Sequence, residues 1–384
     1  MTGPLTGPLT GIRVLELAAI GPAPYGVMLL ADLGAEVVRV DRTASVTRGP
    51  GMEAMMVGLS RNRRSIGVDL KAEAGVAVVR RLVTRADVLV EGFRPGVAER
   101  LGVGPEVLRA DNPALIYARM TGWGQQGPLA PRAGHDLDYA AVAGALHPVG
   151  RADTPPPPPI NYLADFGGGG TFLAIGVLAA LLERSRSGEG QVVDVAMVDG
   201  AASQTAFLHG LLGLGAWTTT RESNLLDGGA PFYDTYRCAD GRFLAIGALE
   251  PEFYAELITR LGLDLDPGAQ LDPATWPEQR RRLAEVIATR SRDEWAEHFA
   301  DSDACVAPVL DLAEAPDHPH HRARDAFVEV DGRQQPAPAP RFSRTPGGVQ
   351  RGAPGYGAHT DEVLDEAGYD PAQIAALREA GAIA

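Results

Sequence analysis

The sequence predicts an α/β protein, with a doubly wound, mostly parallel sheet in its first half and a smaller α+β unit in its second. Three observations carry this. Apolar strand-like runs alternate with helical segments from Gly11 to Ala118, the pattern of right-handed βαβ units. The character changes near Asp227, and Asp240-Gly241 then sits between two apolar runs as a hairpin signal. With 384 residues, 45% of them hydrophobic and 22% charged, the chain can bury one large core and a smaller second one.

In order, Gly11–Leu17 reads as a buried strand, Tyr25–Leu33 as a helix and Gly34–Asp41 as the next strand. Asp69-Leu70-Lys71 precedes a helix over Ala74–Arg85, and Val88–Val90 is a short apolar strand. A helix over Val97–Leu101 and a strand over Leu115–Ala118 continue the alternation. The five prolines Pro155–Pro159 make a stiff surface loop. An apolar helix over Thr171–Arg184, a strand over Gln191–Ala196 and a helix over Asp199–Leu214 complete the first part. Beyond it, Phe232–Tyr236 and Phe243–Gly247 pair as a hairpin, and helices follow over Glu252–Leu261, Pro277–Thr289 and Arg292–Phe299. A last helix starts at Thr360.

The domain division this implies is 1–200 for the large domain, 201–229 as a linker and 230–314 for the small domain. A second linker over 315–335 leads to 336–384, which returns to the large domain.

The formal net charge of −14 argues against nucleic acid as a partner. A local cluster of arginines can still bind a phosphorylated small ligand, and Lys71 is the only ammonium side chain. No apolar run reaches the roughly 18 residues of a membrane span; the longest, Phe172–Leu182, stops at Glu183-Arg184. No basic segment with an apolar core opens the chain, so a cytoplasmic protein is expected. Cys238 and Cys305 match no zinc or redox spacing and read as two buried, reduced thiols. The histidines of Asp317–His321 surround a proline and read as an exposed linker, so no metal site is expected.

Two stretches carry chemistry. Gly134-His135-Asp136 offers a histidine in a loop. Asp165-Phe166, followed by Gly167–Gly170, offers a carboxylate at the entrance of the apolar helix. Each has a plain alternative: a loop histidine can satisfy a turn, and an aspartate can cap a helix. Together they suit removal of a proton from one face of a carbon and its return on the other. The glycines would let a ligand approach the backbone. The helix start would offer N–H groups to an oxyanion, with the Asp165 amide facing it. That combination suits enolisation of a thioester.

Eight segments in order resemble the α-methylacyl-CoA racemases of the family III CoA-transferase superfamily. They include Gly11–Leu17, Leu33–Arg42, Arg61–Arg64, Ala86–Gly96 and Ala118–Gly127, both chemical stretches, and Gly228–Asp234. The resemblance implies a Rossmann-like large domain and an interlocked homodimer, with each active site shared between the large domain of one subunit and the small domain of the other. It implies interconversion of (2R)- and (2S)-2-methylacyl-CoA, with CoA as part of the substrate and no separate cofactor. His135 and Asp165 would be the two acid/base groups, and Glu250 of the small domain would support the His135 imidazole across the interface. CoA would be held by Arg42, Val68, Asp69, Leu70, Lys71, Gly92, Phe93, Arg94 and Arg100, and by the run Gly134, Asp136, Leu137, Asp138 and Tyr139. Arginine forks and backbone amides suit phosphates. The alternative within the superfamily is a CoA-transferase using Asp165 as nucleophile; His135 favours the racemase.

Overall fold

The computed structural model describes residues 6–48 and 52–384. It has two compact units: residues 6–143, 160–204 and 323–384 within the first, and 144–159 with 205–322 in the second. Residues 144–159, which the sequence divides into the large domain, therefore cluster with the smaller unit.

The first unit is built on six strands: β1 (Arg13–Leu17), β2 (Glu36–Asp41), β3 (Arg63–Gly67), β4 (Val88–Glu91), β5 (Ile116–Thr121) and β6 (Val192–Ala196). Their order is β3-β2-β1-β4-β5-β6, and every neighbouring pair is parallel. The central strands read as unbroken apolar runs because helices cover both faces; Val88, Leu89 and Val90 have no exposed surface. The helix Pro22–Asp32 joins β1 to β2, and Glu73–Val83 joins β3 to β4. Pro22 and Pro24 open the first of these helices, where no intrahelical N–H is needed.

Strand β3 is absent from the sequence reading, because Arg63 and Arg64 break its apolar pattern. Both charges are answered from far along the chain. Arg63 is fully buried, with its Nε 2.6 Å from Glu16 Oε2 in β1 and its Nη2 donating to the Pro24 carbonyl at 2.7 Å. Arg64 pairs with Glu362 and Glu366, at 2.8 and 2.7 Å. Just before the strand, Arg61 and Asn62 both donate to Asp32, and Asn62 also donates to the Gly348 carbonyl at 2.8 Å. Arg61–Arg64 thus clasps the returning C-terminal segment onto the sheet. Two helices of that segment, Thr360–Glu366 and Pro371–Glu379, follow a hairpin of Phe327–Val330 with Arg333–Pro336.

The helix read from Thr171 is longer. A π-helical stretch, Tyr162–Gly170, runs directly into Thr171–Ser187. The continuous 26-residue helix is, by length and composition alone, apolar enough to cross a membrane. In the sequence the four glycines read as the helix entrance, which shortens the apolar run. In the folded unit Leu173, Ala174, Val177 and Ala180 of this helix are buried.

The glycines serve helix packing rather than ligand approach. A Cβ on Gly170 would lie 2.8 Å from the Pro22 carbonyl oxygen, and one on Gly168 2.6 Å from the Ala201 nitrogen. From the opposite side, a Cβ on Gly200 would lie 1.8 Å from the Gly168 carbonyl oxygen. Backbone therefore meets backbone on both flanks, at distances no side chain allows. The helix read over Asp199–Leu214 is two, Met197–Gln204 and Ala206–Gly213, separated at Thr205.

In the second unit β7 (Tyr233–Arg237), β8 (Phe243–Gly247) and β9 (Val306–Pro308) form an antiparallel sheet in that order. The helices Pro251–Arg260, Trp276–Ile287 and Arg292–His298 pack with it around Phe232, Tyr254, Leu257, Leu283 and Trp295. Arg151 ties the proline loop in, pairing with Glu222 at 2.9 Å and Asp234 at 2.7 Å. Cys238 is buried as expected, but Cys305 is exposed; both thiols are free.

Candidate active site

In a sheet of this order the connections leave in opposite directions on either side of β1 and β4. That places a crevice outside the carboxyl ends of these two strands. A cleft of about 450 Å³ opens there. Ile20 and Gly21 after β1, Gly92–Pro95 after β4, and Met120–Trp123 at the end of β5 form its floor. Gly134, His135, Tyr139, Asn161 and Asp165 also line it, and Met55, Met56 and Met197 add apolar surface. A cavity of about 430 Å³ at the amino end of the sheet is lined in part by Arg64, Arg85 and Glu366; Arg64 pairs with the Glu366 carboxylate and Arg85 donates to the Glu366 backbone carbonyl. Its charged side chains include no histidine.

His135 is the residue preceding the helix Asp136–Val142, and its side chain is exposed. Its backbone N–H donates to Asp138 Oδ2 at 2.9 Å, which fixes the helix start. The Tyr139 ring stands behind it. The Tyr139 hydroxyl donates to the Gly134 carbonyl at 2.5 Å, and its ring meets Trp123 edge to face at 4.8 Å. Gly122 lacks a side chain because a Cβ would fall 2.1 Å from that ring. Burial, with Asp165 and Asp138 adding, pushes the Tyr139 hydroxyl up to about 12, so it stays a hydrogen-bond donor.

Asp165 lies in the first turn of its helix, not at the cap. Burial chiefly, and then the neighbouring Asp136 carboxylate, push its carboxyl up to about 6. His135 and a hydrogen bond to Asn161 pull the other way without prevailing. A carboxyl poised there can both take and return a proton near neutral pH.

The expected orientation of the Asp165 amide is overturned. That N–H donates to Asp136 Oδ1 at 2.7 Å, as does the N–H of Ala164. The cause is electrostatic: a buried carboxylate at a helix start satisfies amides that have no acceptor within the helix. The same bonds remove the Asp136 side chain from the set of free CoA-binding groups, and it is 4% exposed.

The sequence matches the family described as CoA-transferase family III over residues 9–360. This chain belongs to that family. It is 48% identical to the alpha-methylacyl-CoA racemase of Mus musculus, with 96% of each chain covered. It is 45% identical to the Homo sapiens protein of the same name, with 95% of each covered. Among solved structures, a CAIB/BAIF family protein from Brucella suis is 28% identical, with a TM-score of 0.82 over 94% of this chain and all of that one.

In this family III chain the other expected CoA residues fall along one edge. All six strands are parallel, so Arg42 after β2, Val68–Lys71 after β3 and Gly92–Arg94 after β4 share the carboxyl side of the sheet. From β3 to β4 is three strand spacings, about 14 Å, a reach that suits an elongated ligand. Gly92, Phe93, Arg94, Gly134 and Tyr139 line the cleft itself. Arg42, Lys71, Arg100, Leu137 and Asp138 are exposed outside it. Val68 is core, and Asp69 Oδ1 accepts the Lys71 N–H at 2.9 Å, shaping that turn. Glu250 is exposed in the second unit, just before the helix Pro251–Arg260.

Sequence reasoning missed Glu91. It is fully buried and accepts the Phe93 N–H at 2.6 Å and the Arg119 Nε at 2.8 Å, so it holds the turn that presents Arg94. A charge closing an otherwise apolar strand was the available signal.

Proposed function

We infer that this protein is an α-methylacyl-CoA racemase, interconverting (2R)- and (2S)-2-methylacyl-CoA by proton transfer at C2. The observation that carries this reading is that His135 and Asp165 line the same cleft, with the Asp165 carboxyl poised at about 6. The racemases to which the chain is nearly half identical support it.

The thioester acidifies the C2–H bond because the charge left behind delocalises onto oxygen as an enolate. One group removes the proton from one face. The other delivers a proton to the opposite face of the planar enolate, and the next turnover runs from either side. No atom changes oxidation state, so the step needs no redox cofactor. The active form of the pair carries one proton, and both enantiomers draw on it.

Arg94, held by the Glu91-braced turn, is the first candidate for the CoA phosphates, with Arg42 and Lys71 further along the edge. A transferase would instead use Asp165 as a nucleophile on the thioester carbonyl. His135 favours the racemase, because a nucleophilic carboxylate needs no second proton carrier on the other face. The discriminating assay supplies a free carboxylate acceptor: we expect racemisation to be independent of it and CoA transfer to be negligible. Rapid transfer without racemisation would overturn the reading.

We further propose that two chains interlock, with Glu250 of one supporting His135 of the other. Ile175, Leu178 and Leu182, three or four residues apart on one helix face, are exposed apolar side chains that a second chain would cover. Co-expressed heterodimers carrying Glu250→Ala on one chain and His135→Ala on the other test this. Shared sites place both lesions in one site and leave about half the wild-type activity, because losing a hydrogen bond to a charged group costs roughly tenfold or more. Activity no higher than that of the single variants would contradict the sharing.

A further inference from the structure

We propose that Asp136 is the positioning residue of the acid/base pair: a buried strut that fixes Asp165 against His135 and keeps a negative charge beside it. The proposal rests on the racemase reading and adds to it a residue whose side chain is buried. One peptide bond joins Asp136 to His135. The helix that Asp136 opens is fixed at its start by the Asp138 bond to the His135 amide. From this point the Asp136 carboxylate reaches across to the other helix, and its Oδ1 accepts the N–H groups of Ala164 and of Asp165 itself, each at 2.7 Å.

The far side of that helix is set by the glycine packing at Gly168–Gly170. The Asp136 bonds therefore decide where its first turn, and the Asp165 carboxyl, can sit. Asp136 Oδ2 is buried with no hydrogen-bond partner, so nothing dilutes its charge.

Around Asp165 the helix start contributes Asn161 and the neighbouring helix contributes His135, Asp136 and Tyr139; Arg94 of the β4 turn lines the same cleft. Gly21, just before the helix Pro22–Asp32, lies beside Asp165 Oδ2, 3.5 Å from an ideal Cβ. Among these, Asp136 is the negative group in contact with the Asp165 backbone.

Two variants separate geometry from charge. Asp136→Asn keeps a carbonyl oxygen able to accept both amides but removes the charge. Asp136→Ala removes both and leaves two helix-start N–H groups without an acceptor. Each full-length variant is assayed for C2 deuterium exchange against pH, and the Asp165 carboxyl is titrated by 13C NMR in aspartate-labelled protein, assigned with Asp165→Asn.

With Asn, the expected results are a less than tenfold loss at the optimum and a downward shift of about one unit in both the acid limb and the Asp165 midpoint. With Ala, the loss is on the order of a hundredfold, the scale of an ångström's misplacement. Unmoved midpoints in the Asn variant, or near-wild-type exchange in a folded Ala variant, would overturn the proposal. If the Ala variant does not fold, the Asn titration decides alone. If the wild-type protein exchanges no deuterium, the racemase reading fails, and the Asp165 titration still decides the role of Asp136.

Discussion

Replacing Asp165 by asparagine, or His135 by alanine, should abolish racemisation of both enantiomers, by about 10²–10⁴-fold. Each enantiomer needs one of the two groups as base and the other as acid, so neither direction survives the loss of one. The pH profiles of the two directions should coincide, because their ratio is an equilibrium constant that no proton on the enzyme can change. Both should fall on the acid side in the region of pH 6, where the Asp165 carboxyl becomes protonated.

The same substitution should stabilise the fold. Asp165 rises from an ordinary 3.8 to about 6 on folding. Between those values the folded protein holds a proton that the unfolded chain has lost, so stability falls as pH rises through the window. Above it the ionised carboxylate destabilises the fold, by an amount that solvent screening of this half-buried group keeps small. Asp165→Asn should therefore raise the melting temperature clearly at pH 8 and little near pH 4. An inactive variant with equal gains at both pH values would contradict the assigned environment, and an active one would remove Asp165 from the chemistry.

The largest loss of stability is expected from Glu16→Gln. Arg63 and Glu16 are 0% and 1% exposed, 2.6 Å apart. Removing the counter-charge leaves a guanidinium sealed in the core, which typically costs about 3–5 kcal/mol. The exposed pair Arg281–Glu278 on the helix Trp276–Ile287 serves as a control, since surface pairs contribute about 1 kcal/mol or less. Denaturant unfolding measures both. A Glu16→Gln cost below about 1 kcal/mol would show that water reaches the pair. Because Arg63 also donates to the Pro24 carbonyl, the first turn behind the cleft should loosen with it.

The alternating strands and helices of the sheet, the β7–β8 hairpin and the helices of the second unit were legible because their apolar periodicity is local. What escaped the sequence is held by distant partners. Strand β3 carries two arginines whose carboxylates stand 47 residues away in one case and about 300 in the other. Gly167–Gly170 read as a break because glycine weakens an isolated helix; the neighbouring backbones that require glycine there come from Pro22 and from Gly200–Ala201. His135 and Asp165 were legible as residue types beside glycines and a helix. The engagement of the Asp165 amide was not, since nothing in the spacing of 136 and 165 says that a carboxylate will cap the second helix. Glu91 was hidden in the same way: it looks like the end of a strand and acts as the brace of a turn.

The most direct test of the account is incubation of a single enantiomer of a 2-methylacyl-CoA with the protein in deuterated water, without any acyl acceptor, metal or redox cofactor, followed by mass and chiral analysis of the recovered acid. Two proton carriers on opposite faces predict one deuterium at C2 with progressive loss of configuration, from either enantiomer, ending in an equal mixture. Recovery of unlabelled substrate with its configuration intact, alongside transfer of CoA once a free carboxylate is added, would contradict it.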